Sequence, residues 1–385
     1  MAVDPGSNER RWVLKLGSST LLAGGAQIDV PRLLDYARSI AALRARGVEV
    51  ILVSSGAVAA GRALLPQALA QPRSVPVKQM LAAIGQPRLM ALYAELFGHY
   101  GITVAQVLLS RSDFSSRPRF LNARNTLHAL LEHGVLPVIN ENDTVATTEI
   151  RVGDNDQLAA LVANMVEARK LLLMTDVDGI YTANPRSDPR ATRLAEISAD
   201  PLPATLWQAA GGAGSSAGTG GMLTKLKAAE IARRGGADTH VADGAMPQAL
   251  AGLVDGLPLG TCIRATCRPK EARKRFLLGD LAPAAVVQVD RGAAAALARG
   301  SSLLAVGVQG ARGEFRRGDL IEVQDGAGRA LARGLTRYAH GELERIRGQR
   351  SDRFEALLGY TWGDELIHRN DLVLLGTPVR EEADP

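Results

Sequence analysis

Val138-Ile139-Asn140-Glu141-Asn142-Asp143 is a short apolar run that stops abruptly in carboxamides and carboxylates. Gly153-Asp154-Asn155-Asp156 repeats the polar theme shortly after, and a helical pattern follows from Gln157. Strand, polar loop and helix N-terminus, in that order, is where open α/β sheets place their ligands. Asn and Asp are also ordinary turn and N-cap residues. Capping, however, uses one such residue per helix, and this region offers Asn140, Glu141, Asn142, Asp143, Asp154, Asn155 and Asp156.

Upstream, Trp12–Leu16 is a strand running into Gly17-Ser18-Ser19. Lys15 near its end is either a solvated edge-strand lysine or a cation aimed at an anion. Apolar spacing predicts a helix from Pro31 to Arg46, closed by Gly47 as a C′ residue. The buried strand Val48–Val53 stops at Ser54-Ser55-Gly56-Ala57, which is either a tight βα turn or a place for close backbone approach to a ligand. A helix over 78–97, a strand Val104–Leu109, a helix Phe120–Glu132 and a strand Val135–Ile139 complete a βαβαβαβ pattern. That pattern gives an α/β fold: a three-layer sandwich with a mostly parallel central sheet and helices on both faces.

Downstream, a helix over Gln157–Glu167 leads to a strand Leu171–Thr175 that ends in Asp176-Val177-Asp178-Gly179. Gly211–Gly221 is almost entirely Gly, Ser and Ala, and runs into Met222-Leu223-Thr224-Lys225 and a helix to Arg234. Bare backbone N–H groups, a helix start and a lysine one turn in resemble a phosphate cradle, although the spacing is not that of a Walker A loop. The alternative is a flexible linker. Ala237–Ala242 and Gly260–Ile263 read as the last strands of this region. The basic run Arg268–Arg275 reads as a linker or solvated helix, with a nucleic-acid contact as the alternative. Beyond it, short strands at 285–289, 307–308, 319–323 and 372–375 with glycine turns indicate a small β-rich second domain.

The chain as a whole sets outer limits. Its 385 residues suggest two domains. With 46% hydrophobic residues but 4% aromatics, Ala, Leu and Val must fill most of the core. Lys plus Arg is 45 against 40 for Asp plus Glu, a formal charge of +5. This balance permits anionic ligands without demanding nucleic acid. Cys262 and Cys267 have no second Cys/His pair to make a zinc site and fit a reducing, cytoplasmic setting. No signal peptide and no membrane span are expected. His240 and His368 lack ligand-spaced partners, so surface or supporting roles are expected rather than metal binding.

Taken in order, Lys15-Leu16-Gly17-Ser18, Ser54-Ser55-Gly56-Ala57, the two Asn/Asp clusters, Thr175–Gly179 and Gly218–Lys225 resemble the amino-acid kinase superfamily and, within it, the glutamate 5-kinase family. The tail, with Gly334–Tyr338, Leu358-Gly359-Tyr360 and His368–Asp371, resembles the PUA domain appended to many of its members. The resemblance implies an amino-acid kinase domain over 8–268 and a PUA-like domain over 281–378. It implies ATP-dependent phosphorylation of the L-glutamate side-chain carboxylate to γ-glutamyl phosphate, in proline synthesis.

By motif, Lys15 and Lys225 would bind the phosphoryl oxygens and Asp156 would orient them. Ser55, Asp143 and Asn155 would bind glutamate. Thr175, Asp176 and Thr219-Gly220-Gly221-Met222-Leu223-Thr224-Lys225 would hold ATP. The resemblance also implies Mg²⁺ carried by ATP, a homo-oligomer (dimer or tetramer) and L-proline as a feedback inhibitor, and leaves RNA open as a ligand of the tail. Ser54 departs from the family's more usual Thr, and Asn184 and Asn370 from Asp; none is an assigned site position. The chemistry agrees with the resemblance. Phosphoryl transfer asks for positioning and charge stabilisation, and a carboxylate acceptor, already ionised at neutral pH, needs no general base.

Overall fold

The computed structural model describes residues 10–65, 74–145, 155–183, 185, 188–211, 221–269 and 283–375. The chain divides into two compact units, Met1–Ala272 and Arg273–Pro385.

In the first unit the strands are β1 (Arg11–Leu16), β2 (Glu49–Ser54), β3 (Val104–Leu109), β4 (Leu136–Glu141), β5 (Lys170–Thr175), β6 (Ile180–Tyr181), β7 (Arg193–Leu194), β8 (Glu196–Ile197), β9 (Asp238–Asp243) and β10 (Thr261–Ile263). The helices are α1 (Ser18–Leu22), α2 (Val30–Ala45), α3 (Ala57–Arg62), α4 (Val75–Gly98), α5 (Arg111–Ser115), α6 (Arg117–Glu132), α7 (Asn155–Met165), α8 (Ala204–Gly211) and α9 (Met222–Arg234). The main sheet has eight strands in the order β3-β4-β2-β1-β5-β9-β10-β8, and β6 pairs with β7 apart from it. Every pairing in the main sheet is parallel except that of β9 with β10. The chain winds outward from β1 to β2 on one side and later returns to β5 on the other. That reversal is where open α/β sheets bind ligands, beyond the carboxyl ends of the strands.

Side chains alternate across each strand, and β1 shows the consequence. Trp12, Leu14 and Leu16 pack with Leu33, Tyr36 and Ile40 of α2 and with Leu89 and Phe97 of α4. Val13 packs on the other face, with α7 and α9 residues such as Leu158, Val162, Leu226 and Ala229. Lys15 shares the parity of Val13 and therefore faces α7 and α9. The edge-strand reading of this lysine is thus excluded: β1 is central, and Lys15 is buried.

Helix ends differ from the expectation by a turn at most. α4 begins at Val75 and α6 at Arg117, each with a proline in its first turn. Apolar spacing reports the buried face and is silent on first-turn residues that stay partly exposed; proline is tolerated there because that N–H has no helical partner. α2 is capped by Asp29, whose side chain accepts from Arg32 N at 3.0 Å, and Gly47 follows it at φ +78°. α3 and α4 meet backbone to backbone. A Cβ on Gly85 would lie 1.8 Å from the Ala57 carbonyl oxygen, and one on Gly61 would lie 2.0 Å from that of Leu81.

Among the described residues, no helix is long and apolar enough to cross a membrane. His240 corrects the surface expectation. It lies buried in β9, and burial, assisted by the Lys170 charge, lowers its pKa to about 4, so it is neutral at physiological pH. Cys262 is buried, Cys267 is half-buried, and both are free thiols. Of the basic run, Lys270–Arg275 lies outside the described residues.

The second unit has its own sheet of β11 (Ala285–Val289), β12 (Val308–Arg312), β13 (Leu320–Gln324), β14 (Ala330–Leu335) and β15 (Leu372–Leu374), ordered β12-β11-β13-β14-β15. Val287, Ile321, Val323, Ala332, Tyr338, Phe354 and Ile367 form its core. The sequence reading missed β14 and the helices Arg291–Ala298, His340–Ile346 and Phe354–Leu358. Ala-Leu-Ala-Arg-Gly-Leu has poor strand propensity, yet β13 and β15 pair with it from both sides.

The α3–α4 contact generates a stability prediction. Gly85→Ala should lower the denaturant midpoint of the first unit by the equivalent of about 1–3 kcal/mol, the ordinary cost of overpacking. Gly98→Ala, whose Cβ would meet nothing within 4 Å, should cost nothing in the same urea titration.

Candidate active site

Three elements converge on one carboxylate. Asp156, in the first turn of α7, is fully buried. Lys15 Nζ, from β1, lies 2.5 Å from its Oδ1, and Lys225 Nζ, from the second turn of α9, lies 3.2 Å from its Oδ2. Both ammonium groups are buried with it. The Thr224 hydroxyl lies 3.2 Å from the same Oδ2 and 2.7 Å from the Gly221 carbonyl. Burial alone would raise the Asp156 pKa; Lys15 and Lys225 outweigh it and hold the carboxyl well below the usual carboxylate range. Two cations around one anion leave the cluster a net positive charge in a low-dielectric setting, which suits an incoming anion. Gly17 keeps the approach open, since a Cβ there would stand 3.0 Å from Lys15 Nζ.

Asn155 adjoins this cluster through the chain and opens a second one. Its Nδ2 lies 2.8 Å from Ser55 Oγ, 3.1 Å from the Ser54 carbonyl oxygen and 3.1 Å from Asn140 Oδ1, three acceptors sharing its two hydrogens. Ser55 N in turn donates to the Leu16 carbonyl at 3.0 Å, tying the end of β2 to the end of β1. Gly56 turns the chain into α3 at φ +103°, a conformation that favours glycine. Beside these groups lies a cavity of about 200 Å³ whose lining includes Gln86, Gln106, Glu141, Asn142 and Asp143. Burial pushes the Asp143 carboxyl upward. A cationic ligand group would favour the ionised form of this side chain.

Thr175 and Asp176 stand at the carboxyl end of β5, next to β1, with Thr175 Oγ1 donating to Asp176 Oδ1 at 3.0 Å. The Thr175 carbonyl accepts from Gly244 N at 2.6 Å, which joins the ends of β5 and β9. Met222, Leu223, Thr224 and Lys225 form the first turns of α9, and Gly221 is its N-cap. Thr219 and Gly220 lie outside the described residues, as do the rest of the glycine-rich segment from 212 to 220, Gly153, Asp154 and Asn184.

Of the expected residues, then, Lys15, Asp156, Thr224 and Lys225 meet directly, as do Ser55 and Asn155. Asp143 borders the cavity, and Thr175 and Asp176 occupy the neighbouring strand end. Gln86, Gln106 and Asn140 were not assigned. Gln86 follows the apolar positions of α4 and reads as a solvent-facing residue, yet it is buried and accepts from Asn140 Nδ2 at 2.9 Å. The signal for Asn140 was its place in the opening polar cluster. For Gln86 the sequence carries none.

The sequence profile described as the amino acid kinase family matches residues 10–243, and that of the PUA domain matches residues 285–358. The chain belongs to the amino acid kinase family. Among its relatives, a Deinococcus radiodurans protein named glutamate 5-kinase is 51% identical over 369 residues, spanning 95% of this chain and 100% of that protein. Proteins of the same name from Escherichia fergusonii and an Enterobacter species are 45% and 44% identical over 370 and 371 residues, with at least 95% of this chain and 99% of theirs covered. As in other kinases, an amino acid kinase has a nucleotide phosphoryl group to handle.

The ion cluster predicts a pH-dependent stability. Asp156→Asn leaves two buried ammonium groups without their anion and should cost about 3–5 kcal/mol. The folded pKa of Asp156 is depressed, so its contribution is fully present above the unfolded value of about 4 and is lost as the pH falls below that. Urea titrations of both proteins should therefore differ fully at neutral pH and converge in strong acid.

Proposed function

We infer that this amino acid kinase transfers the γ-phosphoryl group of ATP to the γ-carboxylate of L-glutamate, forming γ-glutamyl phosphate, the first step of proline biosynthesis. The observation that carries the reading is the buried Lys15–Asp156–Lys225 cluster at the carboxyl edge of a mostly parallel sheet, in a chain related over nearly its whole length to glutamate 5-kinases.

In this reaction a glutamate γ-carboxylate oxygen attacks the γ-phosphorus. One O–P bond forms, and the bond from phosphorus to the β,γ-bridging oxygen breaks. ADP leaves with the electron pair. The acceptor carries no proton, so no base is required. Lys15 and Lys225 neutralise the phosphoryl oxygens as charge spreads over them, and Asp156 holds both ammonium groups in place. Ser55, Asp143 and Asn155 hold glutamate, with the Asp143 carboxylate on its ammonium. Thr175, Asp176 and the 219–225 segment hold ATP. Both oxygens of Asp156 are engaged by lysine, so Mg²⁺ would be held by phosphate oxygens and water that arrive with ATP.

The proposal extends to a cytoplasmic homo-oligomer, dimer or tetramer, inhibited by L-proline at a site overlapping that of glutamate. RNA is the ligand to test first on the PUA-like unit. The kinase domain is proposed to span 8–268 and the PUA-like domain 281–378.

With Mg-ATP, glutamate and hydroxylamine, the protein should form glutamate hydroxamate, whereas aspartate, acetylglutamate, carbamate and UMP should not serve as acceptors. Absence of a glutamate-dependent product from folded protein would refute the reading. Lys225→Ala should lower kcat by at least about 10²–10³, the worth of one preorganised charge donor, with its circular dichroism unchanged. Truncation after Arg268 should leave most of the activity, measured in the same assay.

A further inference from the structure

A line of carboxamides runs from the cavity wall to Asn155. Gln86 Nε2 donates to Gln106 Oε1 at 3.2 Å, and Asn140 Nδ2 donates to Gln86 Oε1 at 2.9 Å. Asn155 Nδ2 donates to Asn140 Oδ1 at 3.1 Å. Two backbone groups fix the direction of the whole line. The Ser54 carbonyl can only accept, so the amide face of Asn155 turned to it, at 3.1 Å, must be the NH₂. The Glu141 N–H can only donate, so the face of Asn140 it meets at 2.9 Å must be the oxygen. Asn140 therefore turns its NH₂ to Gln86, and Gln86 must answer with its carbonyl.

One atom is left over. Asn155 Oδ1 is buried and has no hydrogen-bond partner among the described residues. A buried acceptor without a partner is unfavourable, and in a substrate site it marks where a ligand donor belongs.

Resting on the reaction inferred above, we propose that Gln86 is a positioning residue for glutamate. Through Asn140 it braces the Asn155 amide in the direction that the Ser54 carbonyl sets, with the nitrogen consumed by the protein and the oxygen kept for an N–H donor of the substrate. The donor chemistry is that of the glutamate ammonium, since neither carboxylate can donate. Gln86 itself touches neither the lysine cluster nor Thr175, so its effect should fall on glutamate and not on ATP or the transfer step.

The test is steady-state kinetics with the hydroxylamine trap on Gln86→Met and Gln86→Glu. Methionine keeps the volume and removes the acceptor; glutamate keeps the acceptor for Asn140 Nδ2. Gln86→Met should raise KM for glutamate roughly tenfold, the scale of one lost buried hydrogen bond, with KM for ATP unmoved and kcat within about threefold. Gln86→Glu should return the glutamate KM to within about threefold of the original. Gln106→Met, at the far end of the line, should show the same pattern more weakly and serves if Gln86→Met does not fold. An unchanged glutamate KM in Gln86→Met, parallel shifts in both KM values and kcat, or a Gln86→Glu variant no better than Gln86→Met would overturn the proposal. Unsubstituted protein without glutamate-dependent turnover would instead refute the reaction, and so separates the two failures.

Discussion

A fully buried carboxylate, Asp156, sits between two buried lysines that keep slight exposure. Removing three charges from water costs several kcal/mol per ion, so the arrangement persists only if attraction is close to optimal. That requirement fixes three elements at once: the parity of β1, the start of α7 and the second turn of α9. It also yields a site that needs little reorganisation when an anion arrives, because the cations are already held by a protein group.

The other half of the site is built from small residues and amides. Gly61 and Gly85 let α3 and α4 touch at the backbone, bringing Gln86 up to the end of β4. Tyr93, one of the few aromatics, closes the rear of this region, with its hydroxyl 2.7 Å from Ser54 Oγ. Ser54, which stands where relatives of the resembled family more often carry threonine, thus supports the loop from behind while its carbonyl orients Asn155. Charge does the holding on one side of Asn155–Asp156, and neutral hydrogen bonds do it on the other.

Much of this was legible in the sequence. The βα alternation gave the sheet, and apolar runs ending in Lys15, Ser55, Asp143 and Thr175 marked its carboxyl edge. What escaped had a physical reason. Lys15 was ambiguous because a short run does not say whether a strand is central. His240 was left between a surface and a supporting role because strand order decides its burial. Gln86 was invisible because a glutamine on a helix is ordinarily solvated, and only the Gly61–Gly85 approach buries it. β14 has weak intrinsic preference and is a strand because its two neighbours make it one.

The alternation along β1 has a further consequence, for folding. Sliding β1 by one residue against β2 or β5 would exchange its two faces. Lys15 would then enter the apolar layer of Leu33, Tyr36, Ile40 and Phe97, away from Asp156. An unpaired ammonium there is prohibitively unfavourable, whereas a slipped leucine would be nearly neutral. The buried partner of Asp156 therefore also works as a register pin, discriminating against misaligned sheets.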